Sequence, residues 1–150
     1  MHELWVLSAD THKARVFTAS LPGGKRFVEI RSFVEPDTVL PERDIVSDSP
    51  GHHQGGTQGH PKLPRTSAHE KRIQAFARDV VHFLEEEHKK GEFHKLGIVA
   101  APHMLGELRL KLSNELQKNL FFEIDKNLTR LSPHEMRKHL AEQLKNPIIH

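Results

Sequence analysis

The feature that most constrains this chain is a change in the period of its hydrophobic pattern. Before about residue 35 the apolar positions follow short alternating runs. After about residue 66 they recur every three or four residues, broken by two short continuous apolar runs. A period of two suits a strand with one buried face, and a period near 3.6 suits a helix, so the two halves must build different structures. Leu4 to Ala9, Ala14 to Ala19 and Arg26 to Val34 read as strands. They are joined by the turn-forming segments Asp10-Thr11-His12-Lys13 and Leu21-Pro22-Gly23-Gly24-Lys25, which predicts two hairpins and an antiparallel meander.

The second half reads differently. Ser67-Ala68-His69-Glu70 has the form of a capping box. It opens a helix with Ile73, Phe76, Ala77, Val80 and Leu84 on one face and Gly91 as its stop. Leu96 to Ala101 is a continuous apolar run, as expected of a strand buried on both faces. Pro102 then starts a second helix with Leu105, Leu108, Leu112 and Leu116 as its stripe. Leu120 to Ile124 is a fifth strand. Ser132-Pro133-His134-Glu135 is a second capping box, opening a helix that carries Met136, Leu140 and Leu144. The predicted order is βββ-αβαβα. Strands joined through helices run parallel, so three antiparallel strands continue into a parallel portion. The expected architecture is an α/β single domain with one mixed five-stranded sheet and three helices packed on it. It resembles the ribonuclease H-like arrangement.

Between the halves, Glu35 to Thr66 holds five prolines and four glycines without periodicity. A structureless connection of that length inside a domain is usually functional or disordered.

The whole-chain properties narrow the classes of function. At 150 residues the chain has the length of one domain and can bury a core without staples. It has no cysteine, which excludes disulfides, a cysteine nucleophile and thiolate metal sites. The amino terminus lacks the form of a signal peptide, and no apolar run approaches the roughly 20 residues that span a bilayer. A cytoplasmic location and no membrane partner are the expectation. The net charge of +2 and pI near 9.0 are mildly basic, a weak pointer to nucleic acid. Neither a nucleophile elbow (Gly-x-Ser-x-Gly), nor a phosphate-binding P-loop, nor a Gly-x-Gly-x-x-Gly sequence occurs.

Several segments together resemble a known family. They are Trp5-Val6 with Ala9-Asp10, Ala14-Arg15-Val16-Phe17, Ser47-Asp48-Ser49-Pro50-Gly51, Phe76-Ala77, Ala100-Ala101-Pro102, Leu105-Gly106-Glu107-Leu108-Arg109, and Glu123-Ile124-Asp125-Lys126-Asn127-Leu128-Thr129. In this order they are similar to the bacterial host attachment proteins, a family named for a requirement in binding to host cells. The family is similar in fold to the central domain of archaeal and eukaryotic class-I release factors, whose Gly-Gly-Gln loop lies between the meander and the first long helix. The resemblance implies a link to the ribosome or to tRNA as partner. It implies no cofactor. A role as a surface adhesin is disfavoured by the lack of a signal peptide.

The residues offer four candidate constellations. The long loop carries Asp48, Pro50, Gly51, Gln54, Gly55, Gly56 and Gln58. Here Thr57 separates Gly56 from Gln58, so the release-factor triplet is absent. The loop reads as a flexible polar segment, a binding segment, or a catalyst of peptidyl-tRNA hydrolysis. His52, His53, His60 and His69 crowd the same region without regular ligand spacing, and His94, His103, His134 and His139 read as exposed or capping residues; no metal site is expected. Asp10, Asp48, Glu123 and Asp125 would form a two-metal nuclease set if they converged; otherwise Asp10 and Asp48 are turn residues. Arg15, Lys62, Arg65, Arg109 and Lys126, with Arg130, are candidates for an anion or RNA surface. Ion pairing is the alternative, with Glu107 or Glu123 as partner for Arg109. The leading expectation is a non-enzymatic binding domain. The alternative is a hydrolase, acting on peptidyl-tRNA or as a metal-dependent nuclease.

Overall fold

A computed structural model describes residues 3–21, 23–35 and 62–145, with the side chains of 62–67 outside that description. Five strands form one sheet: β1 Leu4–Ala9, β2 Lys13–Ala19, β3 Phe27–Val34, β4 Lys95–Ala100 and β5 Leu120–Asp125. Among the described residues four helices accompany them: α1 Lys62–Lys89, α2 Pro102–Lys111, α3 Asn114–Lys118 and α4 Pro133–Leu144. The strand order across the sheet is β3-β2-β1-β4-β5. β1, β2 and β3 pair antiparallel; β1, β4 and β5 pair parallel. The mixed five-stranded sheet in the order βββ-αβαβα is therefore present, and the described residues hold one helix more than expected.

Both faces of the sheet are covered, which explains why β1 shows six buried residues in a row rather than alternation. One face sets Trp5, Leu7, Val16 and Ile98 against Phe76, Val80 and Leu84 of α1, Leu105 and Leu108 of α2, and Leu116 of α3. The other face sets Leu4, Val6, Phe17 and Val99 against Met136 and Leu140 of α4. β3 is an edge strand, and there Val28, Ile30 and Val34 stay exposed. Gly97 in β4 has a packing reason. A Cβ there would strike the Phe122 ring, which packs against the α4-side core from β5.

Three expected boundaries need correction. α1 begins at Lys62, so Ser67-Ala68-His69-Glu70 lies inside the helix and opens nothing; the connection that the sequence suggested at 35–66 loses its last five residues to helix. Pro64 does not prevent this. The first four N–H groups of a helix have no intrahelical acceptor, so a proline there forfeits no hydrogen bond. The remainder of that connection, 36–61, lies outside the described residues. The Leu105 to Leu116 stripe, in turn, is not one helix. Glu85 of α1 accepts the Ser113 N–H at 2.8 Å and its hydroxyl at 3.0 Å, which diverts that N–H from the helical ladder. The Ser113 Oγ then caps α3 by accepting the Leu116 N–H at 3.1 Å. Leu105, Leu108, Leu112 and Leu116 are nevertheless all buried.

The other punctuation follows the chain as expected. α1 ends in a Schellman arrangement: the Gly91 N–H reaches His88 O, the Glu92 N–H reaches Glu87 O, and Gly91 takes a φ of 82°. Ser132 and Glu135 cap α4 reciprocally, at 3.0 and 3.1 Å. That backbone hydrogen bond from Ser132, with the one from its side chain, holds the Glu135 carboxyl below the usual range.

Candidate functional site

The parallel strands β1, β4 and β5 end on one side of the sheet, and in open α/β sheets the carboxyl ends of the strands form the usual ligand crevice. Asp10, Ala101 and Lys126 follow those three strands directly. The two ends of the connection at 36–61 meet the described structure at the same edge. The Glu35 N–H donates to His12 O beside the β1–β2 turn, and α1, which leads back to the start of β4, begins at Lys62.

Asp10 organises this edge. Its Oδ1 accepts the N–H groups of His12 and Lys13, both at 2.8 Å, which is the turn role that the sequence allowed. Its Oδ2 accepts Asn127 Nδ2 at 3.1 Å and lies 3.0 Å from the Thr129 hydroxyl. That hydroxyl has a single hydrogen and is also 2.7 Å from Asn127 Oδ1. The β1–β2 turn is thus tied to the segment between β5 and α4. Burial pushes the Asp10 carboxyl up, but the bonds from His12, Asn127, Lys13 and Thr129 outweigh it and leave its pKa below the ordinary value.

A carboxyl with a depressed native pKa stabilises the fold above its unfolded pKa, and that contribution disappears as pH falls through the native value. Asp10→Asn should cost about 1–2 kcal/mol at pH 7. The gap between wild type and variant should narrow on acidification below about pH 4. Urea unfolding at pH 7 and pH 3 checks this; a gap that widens at pH 3 contradicts the assignment.

Arg15 sits beneath the same edge and is only 9% exposed. Its Nη2 and Nε bind the two oxygens of Glu29 at 2.8 and 3.1 Å. Its Nη1 donates to the carbonyls of Thr129 at 2.9 Å and Leu131 at 2.7 Å. As a candidate for anion or RNA contact Arg15 is therefore corrected: its donors are committed inside the protein, where they clamp β2 and β3 to the β5–α4 segment. Arg109 is exposed and bonds Glu123 Oε1 through Nε at 3.1 Å and Nη2 at 2.8 Å. That hydrogen bond and the Glu123 charge raise the Arg109 pKa further. Of the two acids considered for Arg109, the partner is Glu123.

Lys126 and Arg130 are exposed at the carboxyl edge, and Lys13 joins them there. Lys13 and Arg130 rim a shallow depression of roughly 540 Å³, floored by Arg15, Glu29 and Thr129. Lys62 and Arg65 lie in the first two turns of α1; their side chains are outside the described residues. So are Asp48, Pro50, Gly51, Gln54, Gly55, Gly56 and Gln58, with His52, His53 and His60.

Among the described residues Asp10, Glu123 and Asp125 do not gather into a group of three metal donors; Asp10 bonds Asn127 and Thr129 while Glu123 bonds Arg109. Among the described residues the donors that do come together are Glu70, His103 and Glu107. Sequence reasoning missed them because Glu70 and His103 meet only when α1 packs on α2. The local signal was the spacing of four between His103 and Glu107, which shares a helix face.

Comparison with known proteins adds a family. The family described as "Protein required for attachment to host cells" matches residues 5–140. No curated protein matches. Among solved structures, the chain is similar to the crystal structure of the archaeal translation termination factor aRF1, at 11% identity and a TM-score of 0.47. That match covers 95% of this chain and 39% of the other, so the chain spans well under half the length of that structure.

Proposed function

The chain belongs to the family of proteins required for attachment to host cells, and we propose that it works as a non-enzymatic, cytoplasmic binding domain whose partner is the ribosome or tRNA. The carboxyl edge of the sheet is the working surface, together with the Gly-rich stretch from Asp48 to Gln58, which lies outside the described residues. One observation carries the proposal. At this edge Asp10, Glu29 and Glu135 are committed to internal hydrogen bonds, to Asn127, Arg15 and Ser132 respectively, whereas Lys13, Lys126 and Arg130 are exposed. Asp10 and Glu135 keep their charge, since their donors are neutral, and Asp125 is exposed beside Lys126, so the edge carries both signs; its exposed cations are the groups that release counterions when they meet phosphates. No helix among the described residues is long and apolar enough to cross a membrane.

The test is sedimentation of the purified chain with ribosomes, and separately its binding to tRNA, over a salt series. The expected result is binding at low salt that weakens steeply as salt rises. Lys126→Ala with Arg130→Ala should flatten the logarithmic salt slope by about one unit for each phosphate contact removed. Migration at the top of the gradient at the lowest salt, with no tRNA binding, rejects the proposal.

A further inference from the structure

We propose that Glu70, His103 and Glu107 form a divalent metal site joining α1 to α2 at the carboxyl edge of the sheet. Their three ligand atoms, a carboxylate oxygen from each Glu and an imidazole nitrogen from His103, all lie within 4.8 Å of one another. The arrangement follows from the fold. His103 and Glu107 are four residues apart on α2, so they share a face. Glu70 enters from α1, which is packed on α2 through a common core containing Phe76, Val80, Leu105 and Leu108. His103 Nε2 already stands 2.9 Å from Glu70 Oε2.

The chemistry of the set suits a first-row divalent ion, zinc foremost. Imidazole favours that class over calcium or magnesium, and two carboxylates supply compensating charge. Ligand atoms about 2.0–2.2 Å from a tetrahedral zinc lie roughly 3.3–3.6 Å apart. The spacing here therefore needs closure of about 1 Å on its longest edge, within reach of glutamate rotation.

Charge balance points the same way. Glu107 is the most buried of the three side chains, at 12% exposure, and Lys111 holds its Oε1 at 3.1 Å, leaving Oε2. Lys111 bonds Glu107 and His103 bonds Glu70. The positive end of α2 opposes a cation, but that dipole amounts to about half a charge. Three protein ligands leave positions open to water or to a donor from a partner molecule.

The experiment uses the full chain without an affinity tag and reads zinc by equilibrium dialysis and cobalt by its visible absorption. Wild type should bind one ion tightly, with a four-coordinate cobalt spectrum that zinc displaces. His103→Ala and Glu107→Gln should each weaken that ion at least ten-fold. A variant carrying His52→Ala, His53→Ala and His60→Ala together should keep it. Thermal melting of each metal-free variant shows that it is folded, and Glu107→Gln serves where His103→Ala is not. Unchanged zinc affinity in a folded His103→Ala or Glu107→Gln chain overturns the site. So does loss of binding in the triple variant alone, or the lack of a tight ion in wild type.

Discussion

Replacing Trp5 with alanine should destabilise the protein by about 3–5 kcal/mol, the range for deleting a large buried aromatic side chain. Trp5 is 5% exposed and stacks on Phe93 with ring centroids 4.6 Å apart; Phe83 lies near-parallel at 6.0 Å. The ring joins β1 to α1 and to the segment that leads into β4, so its loss opens a void where three pieces of chain meet. Well-oriented aromatic pairs add roughly 0.5–1.5 kcal/mol beyond burial, so Trp5→Phe should cost clearly less than Trp5→Ala. Because the chain has one tryptophan, unfolding of these variants must be followed by circular dichroism. A loss below about 1 kcal/mol for Trp5→Ala would contradict the packing described.

The second large effect is at Arg15. Removing one member of a buried ion pair costs about 3–5 kcal/mol, because it leaves the partner charge unpaired. Arg15→Ala strips two donors from Glu29 and one from each of the Thr129 and Leu131 carbonyls. The Glu29 side chain keeps 30% exposure, so water relieves part of its loss. The expected cost is therefore about 3 kcal/mol, at the low end. Arg15→Lys retains the charge but not the planar fork that serves four acceptors, and should recover less than half of it.

A double-mutant cycle with Glu29→Ala separates the ion pair from the carbonyl bonds, since coupling between the two sites measures the pair alone. Denaturant unfolding read by Trp5 fluorescence supplies the free energies. Additive effects would mean that the pair contributes nothing. Arg15→Ala should also loosen the segment holding Asn127 and Thr129, so faster amide exchange there is the local readout.

These two residues mark different limits of legibility. Trp5 lies in the apolar run Leu4 to Leu7 of β1, and its burial was legible from neighbouring residues. Arg15 also lies in a strand, but a buried arginine is legible only through its partners. Glu29 is 14 residues away, and the carbonyls of Thr129 and Leu131 are more than 110. The same distance explains Asp10, whose turn role was local and visible while its bonds to Asn127 and Thr129 were not. The break at Ser113 depended on Glu85 in another helix, so leucine spacing alone ran α2 and α3 together.

The sequence by itself determined the element types and their order, because hydrophobic period, caps and turn residues act over a few neighbours. The continuous apolar run of β4 likewise announced a strand covered on both faces, and the chain bears it out. Only the tertiary structure decided which charged groups are committed inside the fold and which remain exposed. Arg15 and Lys126 are both basic and both lie in segments that resemble the family, yet one is enclosed by four hydrogen bonds and the other is exposed. Only packing brings Glu70 of α1 to His103 of α2. The physical reason is range. Propensity and period are set by adjacent residues, whereas pairing of charges depends on distances of a few ångströms that the chain closes by folding.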